Sequence, residues 1–252
     1  MNQAIFPKII SNWKMNGSKV EILDWLSALN SRLTLSAQSE CIFCPPLSYL
    51  GFSQNEISSN KMGIKLGAQN FEPDSMNPIT GGVSGKMLLD LDCNFIIIGH
   101  SERRLKLNEN DQVLLNKIHS AIDHNLGIIF CTGETQKEKE DGLCESAIRK
   151  QLLILKEVPL KNIVIAYEPV WSIGSGHTPA LSYIQEVQHF IRDEVKSINN
   201  SEKDIAVYYG GSVNLKNSSK IMDLESVSGL LVGGGSLDAN SFSEIVNKTT
   251  GQ

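Results

Sequence analysis

No apolar run in this sequence approaches the roughly 18–20 residues that span a bilayer as a helix. The five histidines are dispersed, and none stands in an HxxxH or HxH pattern beside a carboxylate, so no metal site is expected. Positive charge is not in excess either. Lys plus Arg number 23 against 28 Asp plus Glu, a net charge of −5, which makes nucleic acid or an anionic membrane surface an unexpected partner. The paired cysteines of a secreted scaffold are also missing. Five is an odd number, and a chain of 252 residues buries enough surface to need no crosslink or metal staple, so free thiols in a reducing cytoplasm are expected. With 41% hydrophobic and 20% charged residues, the composition excludes disordered and fibrous classes.

Cys41 and Cys44 have the spacing of a redox dithiol, but their context is Glu40-Cys41-Ile42-Phe43-Cys44-Pro45-Pro46. That reads as a short strand stopped by prolines, on which residues three apart face opposite sides, so the two sulfurs diverge. The stretch Met1 to Ile10 holds a short apolar patch broken by Pro7 and Lys8, without the apolar core of a signal peptide. A cytoplasmic location is the expectation.

What is present is an alternation. Short apolar, often β-branched runs fall near 8–11, 40–44, 63–68, 94–98, 127–131, 162–166, 205–209 and 228–232. They lack polar alternation, as befits parallel strands covered on both faces. Between them lie helical stripes such as Ile22, Leu26, Leu29 and Leu33, or Ile184, Val187, Ile191, Val195 and Ile198. Thr178-Pro179 before the second stripe reads as an N-cap followed by proline at the first helical position. Eight β-α units in one chain favour a closed (β/α)8 barrel, an α/β fold, as a single domain over residues 1–252. Chemistry in such a barrel sits just past the C-terminal ends of the strands.

Those ends carry polar groups. After the first strand comes Ser11-Asn12-Trp13-Lys14, where Asn12 and Lys14 alternate to point the same way from an extended segment and suit an anionic, oxygen-rich substrate. After the fourth comes Gly99-His100-Ser101-Glu102-Arg103-Arg104. A His at a helix start feels a positive field that favours neutral imidazole, a donor to a carbonyl, whereas Glu102 pulls the other way. His119, His124 and His189 lie inside helical segments and read as surface or packing residues. After the sixth comes Glu168, a candidate general base, followed by a proline-started run with an exposed Trp171 and with Gly174 and Gly176 near its end. The run reads as a stiff lid with hinges. After the seventh and eighth come Tyr209-Gly210-Gly211-Ser212 and Val232-Gly233-Gly234-Gly235. Glycines here let backbone N–H groups approach a phosphate. Taken singly, each feature has a plainer reading: a surface Lys, a capping His, a solvated carboxylate, ordinary glycine turns.

Together they resemble the triosephosphate isomerases. The carrying motifs are Asn-Trp-Lys-Met-Asn from Asn12, Gly-His-Ser-Glu-Arg-Arg from Gly99, Ala-Tyr-Glu-Pro-Val-Trp from Ala166 with Ile-Gly-Ser-Gly behind it, and Tyr-Gly-Gly-Ser-Val from Tyr209. They occur in family order, and the match runs from Lys8 to Ile245. The resemblance implies a TIM barrel that interconverts dihydroxyacetone phosphate and glyceraldehyde 3-phosphate, in glycolysis and gluconeogenesis, without a cofactor. It implies Glu168, His100 and Lys14 as catalytic residues. It implies Asn12, Lys14, Gly174, Ser212, Gly233 and Gly234 as substrate-binding residues. It implies a homodimer in which the loop Phe71 to Lys86 docks into the partner. The chain departs from the family at Gly82, where Glu is usual opposite an Arg matching Arg103, leaving Glu109 as that Arg's other candidate partner. Because such pairs are often weak when exposed, a dimer is expected regardless. It departs again at Ser172 and His177, where Ala and Lys are usual, with lid opening rather than chemistry expected to feel the change. The alternative is another phosphate-binding barrel, a lyase or aldolase of phosphorylated metabolites. That class favours a Schiff-base Lys within a strand or a metal cluster, and neither is evident in the sequence.

Overall fold

A computed structural model describes residues 6–200 and 204–250. Eight strands alternate with helices among them: β1 (Ile9–Asn12), β2 (Cys41–Cys44), β3 (Lys65–Ala68), β4 (Cys93–Ile98), β5 (Gly127–Thr132), β6 (Ile163–Tyr167), β7 (Val207–Tyr209) and β8 (Gly229–Val232). Every neighbouring pair is parallel, and β8 returns to pair with β1, which closes the barrel. The expected runs end within two residues of these strands. The reading of Met1 to Ile10 falls partly on residues 1–5, outside the described residues.

Alternation along each strand divides two cores. Ile10, Ile42, Cys44, Ile97, Ile129, Val164, Ala166 and Leu231 fill the barrel, while Ile9, Cys41, Phe43, Ile96, Ile98, Ile128 and Ile165 face the helices. Cys41 and Cys44 therefore stand on opposite faces, as a strand requires. Both are buried free thiols, and burial pushes both upward from the ordinary thiol value. At Gly67 the inward side has no room. A Cβ there would stand 2.7 Å from Cys44 Sγ and 2.8 Å from Ile42 Cγ2, and the β3–β4 register shifts between Leu66 and Gly67.

The helices of the outer layer are α1 (Lys19–Arg32), α2 (Leu35–Ser39), α3 (Leu50–Ser59), α4 (Gly85–Asp90), α5 (Ser101–Lys106), α6 (Asp111–Asp123), α7 (Gln136–Glu140), α8 (Cys144–Leu152), α9 (Leu181–Asn199), α10 (Ser218–Met222) and α11 (Ala239–Thr250). The stripe Ile22, Leu26, Leu29 on α1 is buried, as is Ile184, Val187, Ile191, Val195 on α9. The start of α9 differs from expectation. The helix begins at Leu181 after Ala180, which offers no capping side chain, because Thr178 is engaged elsewhere. Its Oγ1 donates to the Ser212 carbonyl at 3.4 Å and accepts from Asn217 Nδ2 at 2.8 Å. None of the described helices is long and apolar enough to cross a membrane.

Two devices hold the mouth of the barrel in shape. Trp25 on α1 stacks on Phe43 and Phe242, with ring centres 4.6 and 5.3 Å away, and donates its indole N–H to the Ser236 carbonyl at 2.8 Å. This ties α1 and α11 to the loop after β8. On another side, the ammonium of Lys117 on α6 is buried. It donates to Asn70 Oδ1 and to Glu109 Oε1, both at 2.6 Å, and so anchors the root of the long loop after β3. Removing one partner of a buried ionic network leaves its polar groups unmatched, a cost of about 3 kcal/mol or more. Lys117→Met is expected to lower the urea midpoint accordingly, with an unchanged denaturant slope. A change below about 0.5 kcal/mol would show that the network is not structural.

Candidate active site

The strand alternation that fills the barrel also aims side chains into its mouth. Asn12 continues the inward parity of Ile10, and Glu168 continues that of Val164 and Ala166. Lys14 reaches the mouth by a different route from the one its spacing suggests. The extended segment ends at Asn12, and Lys14 itself has φ +53°, a left-handed conformation costly for a residue with a Cβ. Two side chains hold it there: Asn12 Oδ1 accepts the Lys14 N–H at 3.0 Å, and Gln69 Nε2 donates to the Lys14 carbonyl at 2.9 Å. The ammonium lies 2.8 Å from Glu102 Oε1. Burial alone would raise the Glu102 carboxyl. The Lys14 hydrogen bond and charge, with His100 and Lys106 nearby, outweigh that and hold it below the usual carboxylate value.

His100 precedes α5 as its N-cap, with Nδ1 accepting the Glu102 N–H at 3.2 Å. An Nδ1 that accepts carries no proton, so the ring proton is on Nε2. That nitrogen stands 3.1 Å from Glu168 Oε1. Glu168 is almost fully buried; Oε2 accepts the Ser101 N–H at 3.0 Å, whereas Oε1 has no hydrogen-bonded partner. Oε1 thus faces the His100 ring without the alignment of a hydrogen bond, and a buried carboxylate oxygen left so is poorly satisfied.

One cavity of about 440 Å³ joins these groups to the glycine loops. Asn12, Lys14, His100 and Glu168 line it together with Gly174, Ser212, Gly233 and Gly234. All eight residues singled out from the sequence thus border a single space, of a size suited to a small ligand. Gly234 has nothing within 4 Å of where a Cβ would stand, and at Gly233 the nearest atom is Lys14 Cε at 3.5 Å. An anion can therefore approach the backbone of this loop closely, with a cation beside it.

The segment after Glu168 begins with a turn of 3-10 helix at Val170–Ser172, and residues 174–177 are exposed at its tip. Gly174 and Gly176 have φ +69° and +75°, which glycine adopts freely. Trp171 is half-buried, contrary to the exposed position expected for it. Its indole N–H donates to Glu134 Oε1 at 2.8 Å, and the Lys139 ammonium sits 3.2 Å from its ring centre. Glu134 is a site residue that the sequence reading missed. Its buried carboxylate also accepts from Tyr167 at 3.1 Å and Tyr183 at 3.0 Å. The signal was present in Thr132-Gly133-Glu134 at the end of β5, a strand end left unread. His119 and His189 are exposed helical residues, while His124 pairs with Asp74 at 2.6 Å, so none of the three enters the cavity.

A closed parallel barrel with this mouth defines an enzyme of the class that handles small phosphorylated substrates at the C-terminal ends of its strands. The family model described as triosephosphate isomerase matches residues 7–249. Similar relatives include triosephosphate isomerases of Buchnera aphidicola (40% identical, covering 97% of this chain and 99% of the relative) and of Clostridium tetani (40%, 95% of each). That of Legionella pneumophila strain Paris is 36% identical over 94% of this chain and 96% of its own length. The chain belongs to the triosephosphate isomerase family, and the alternative of a lyase or aldolase is not favoured.

At Gly133 the backbone comes so close to the Glu168 carbonyl that a Cβ would overlap it. Gly133→Ala must therefore shift the strand end that carries Glu168. A displacement of the order of 1 Å costs about a hundredfold in turnover. The variant is expected to keep its circular dichroism and lose kcat by about that factor; full activity would show that the position of Glu168 is not held by this contact.

Proposed function

We propose how the residues of this chain divide the work of a triosephosphate isomerase. The reaction interconverts dihydroxyacetone phosphate and glyceraldehyde 3-phosphate, an internal proton transfer between adjacent carbons. Glu168 Oε1 takes a proton from the carbon beside the carbonyl, the C–H electron pair becomes the double bond of an enediolate, and the carboxyl returns the proton to the neighbouring carbon. His100 gives its Nε2 proton to the oxygen that began as the carbonyl and takes the hydroxyl proton from the neighbouring oxygen, which becomes the product carbonyl, so the neutral ring is restored; Lys14 supplies fixed positive charge as the enediolate forms. Asn12 orients the substrate. The backbone amides at Gly174, Ser212, Gly233 and Gly234 hold the phosphate, and lid closure keeps the enediolate from water and from losing phosphate. Triosephosphate isomerases are themselves the standard example of a Glu base, a neutral His and a closing loop. The observation that supports these roles is the buried Glu168 Oε1, which makes no aligned hydrogen bond and stands 3.1 Å from Nε2 of His100.

The test is a coupled assay on glyceraldehyde 3-phosphate. Glu168→Asp shortens the base by one methylene and should lower kcat by orders of magnitude with little change in KM, because the proton-transfer distance alone is lengthened. Near-normal turnover would remove Glu168 as the base.

We further propose a single catalytic domain over residues 1–252, a cytoplasmic location and a homodimer. The loop between Phe71 and Lys86 is exposed from Asp74 to Gly81, with Met76 and Ile79 presenting apolar surface. Beside the mouth, a groove of about 520 Å³ is bordered by Lys14, Met15, Arg103 and Leu107, with Met15 95% exposed. A loop with apolar side chains at its tip and an apolar-edged groove on the same molecule suit a two-fold pairing in which each loop enters the partner's groove. Ile79→Asp should raise the dimer dissociation constant at least about tenfold in sedimentation velocity. A monomeric parent protein at micromolar concentration would overturn the dimer.

A further inference from the structure

The lid is tied at both ends to one residue, Ser212. At the far end the Thr178 hydroxyl donates to the Ser212 carbonyl at 3.4 Å, and Asn217 Nδ2 donates to that same carbonyl at 2.9 Å. At the near end the Ser212 N–H donates to the Ser172 hydroxyl at 3.3 Å. Ser172 is fully buried, and its hydroxyl accepts the Ser212 N–H while facing the hydroxyl of Tyr209. The space is tight. A Cβ on Gly211 would stand 2.6 Å from Ser172 Oγ and would overlap the Tyr209 hydroxyl, which is itself buried without a hydrogen-bond partner.

We propose that Ser172 is a positioning residue that couples phosphate arrival to release of the lid. In the conformation described, its hydroxyl occupies the Ser212 N–H, a donor that borders the cavity. A phosphate oxygen entering beside Gly233 and Gly234 takes that N–H, since a charged acceptor outcompetes a neutral hydroxyl held at 3.3 Å. The Ser172 hydroxyl is then left with the Tyr209 hydroxyl, which already lies beside it, as its remaining polar neighbour. The near end of the lid is thereby uncoupled from the loop after β7 only when the anion site is filled. The inference rests on the phosphate-binding role proposed above for Ser212. It adds that the ligand-free enzyme carries a built-in competitor for one phosphate donor.

The test compares Ser172→Ala and Ser172→Cys with the parent protein. Ala deletes the acceptor; Cys keeps the branch point but replaces the oxygen by a larger sulfur that accepts poorly. The probe is glycerol 3-phosphate, which carries the phosphate and cannot isomerise, with binding measured by calorimetry and kcat by the coupled assay. Both variants should bind the probe about threefold to tenfold more tightly, the range set by one modest hydrogen bond. Their kcat should stay within about twofold, because the contact exists only in the ligand-free state. A merely structural lesion would weaken binding and lower kcat together. Unchanged or weaker binding in both variants overturns the coupling and leaves the isomerase reading intact. A parent protein that turns over substrate but does not bind glycerol 3-phosphate overturns the phosphate role of Ser212 and the coupling with it.

Discussion

Closure of the barrel with every strand parallel is the constraint from which the site follows. Parallel closure puts all eight C-terminal strand ends at one rim. The two-residue period of a strand then decides, with no further instruction, which side chains past those ends face inward. Asn12 and Glu168 lie on opposite sides of the ring, yet both continue the parity that sends Ile10 and Ala166 into the interior. The layer of apolar side chains beneath forms the floor of that mouth. It gives Glu168 a floor of buried carbon and sulfur, including Cys131, whose thiol is pushed well upward by its own burial and then by the charge of Glu168. A thiol so placed stays neutral and serves as packing.

The same rim resolves the problem posed by charge. A chain with a net charge of −5 has to attract a phosphate dianion, so the attraction must be local. The structure sets the Lys14 side chain beside the glycine loop after β8, 3.5 Å being the gap between Lys14 Cε and a Cβ position at Gly233, which suits the attraction proposed above. Holding Lys14 there requires a left-handed residue, stabilised by Asn12 and Gln69, and a counter-carboxylate at Glu102. Strain of this kind persists only where neighbouring groups over-determine the conformation. Here two side-chain hydrogen bonds to a single peptide unit supply that control.

The fold was legible in the sequence because apolar runs and helical stripes follow local periodicities that tertiary structure left intact. The singled-out strand-end residues that border the cavity were legible for a related reason, since strand ends are found by counting, whereas Gly174, inside the lid, was named from the family resemblance. What was not legible depended on contacts between distant segments. Thr178 has the chemistry of an N-cap, but Asn217 and Ser212, far along the chain, claim its hydroxyl. Trp171 stands in a loop, where an indole reads as exposed, until Glu134 and Lys139 from the end of β5 and from α7 are seen to enclose it. Lys14 obeys strand parity by number while its backbone has already left the strand. In each case the local rule was sound and a long-range partner overrode it.

The departure at Gly82 illustrates how a lost charge is tolerated. Arg103 does not depend on a carboxylate at position 82, because Glu109 of its own chain accepts from Nε at 2.8 Å and stands 2.7 Å from Nη2. Glu109 also takes the buried Lys117, so one carboxylate serves two cations. Burial alone would raise its pKa. The hydrogen bonds to Arg103 and Lys117 and their charges more than offset this and hold it below the usual carboxylate value. A carboxyl with a depressed folded-state pKa contributes stability above its unfolded value, and loses it as pH falls through the lower folded one. The contribution is therefore fully present near neutral pH. Glycine at position 82 leaves no buried charge unpaired, since the guanidinium that a carboxylate there would have met is already satisfied within the chain. The tip of the long loop presents the exposed apolar side chains of Met76 and Ile79, while Lys117 secures its root.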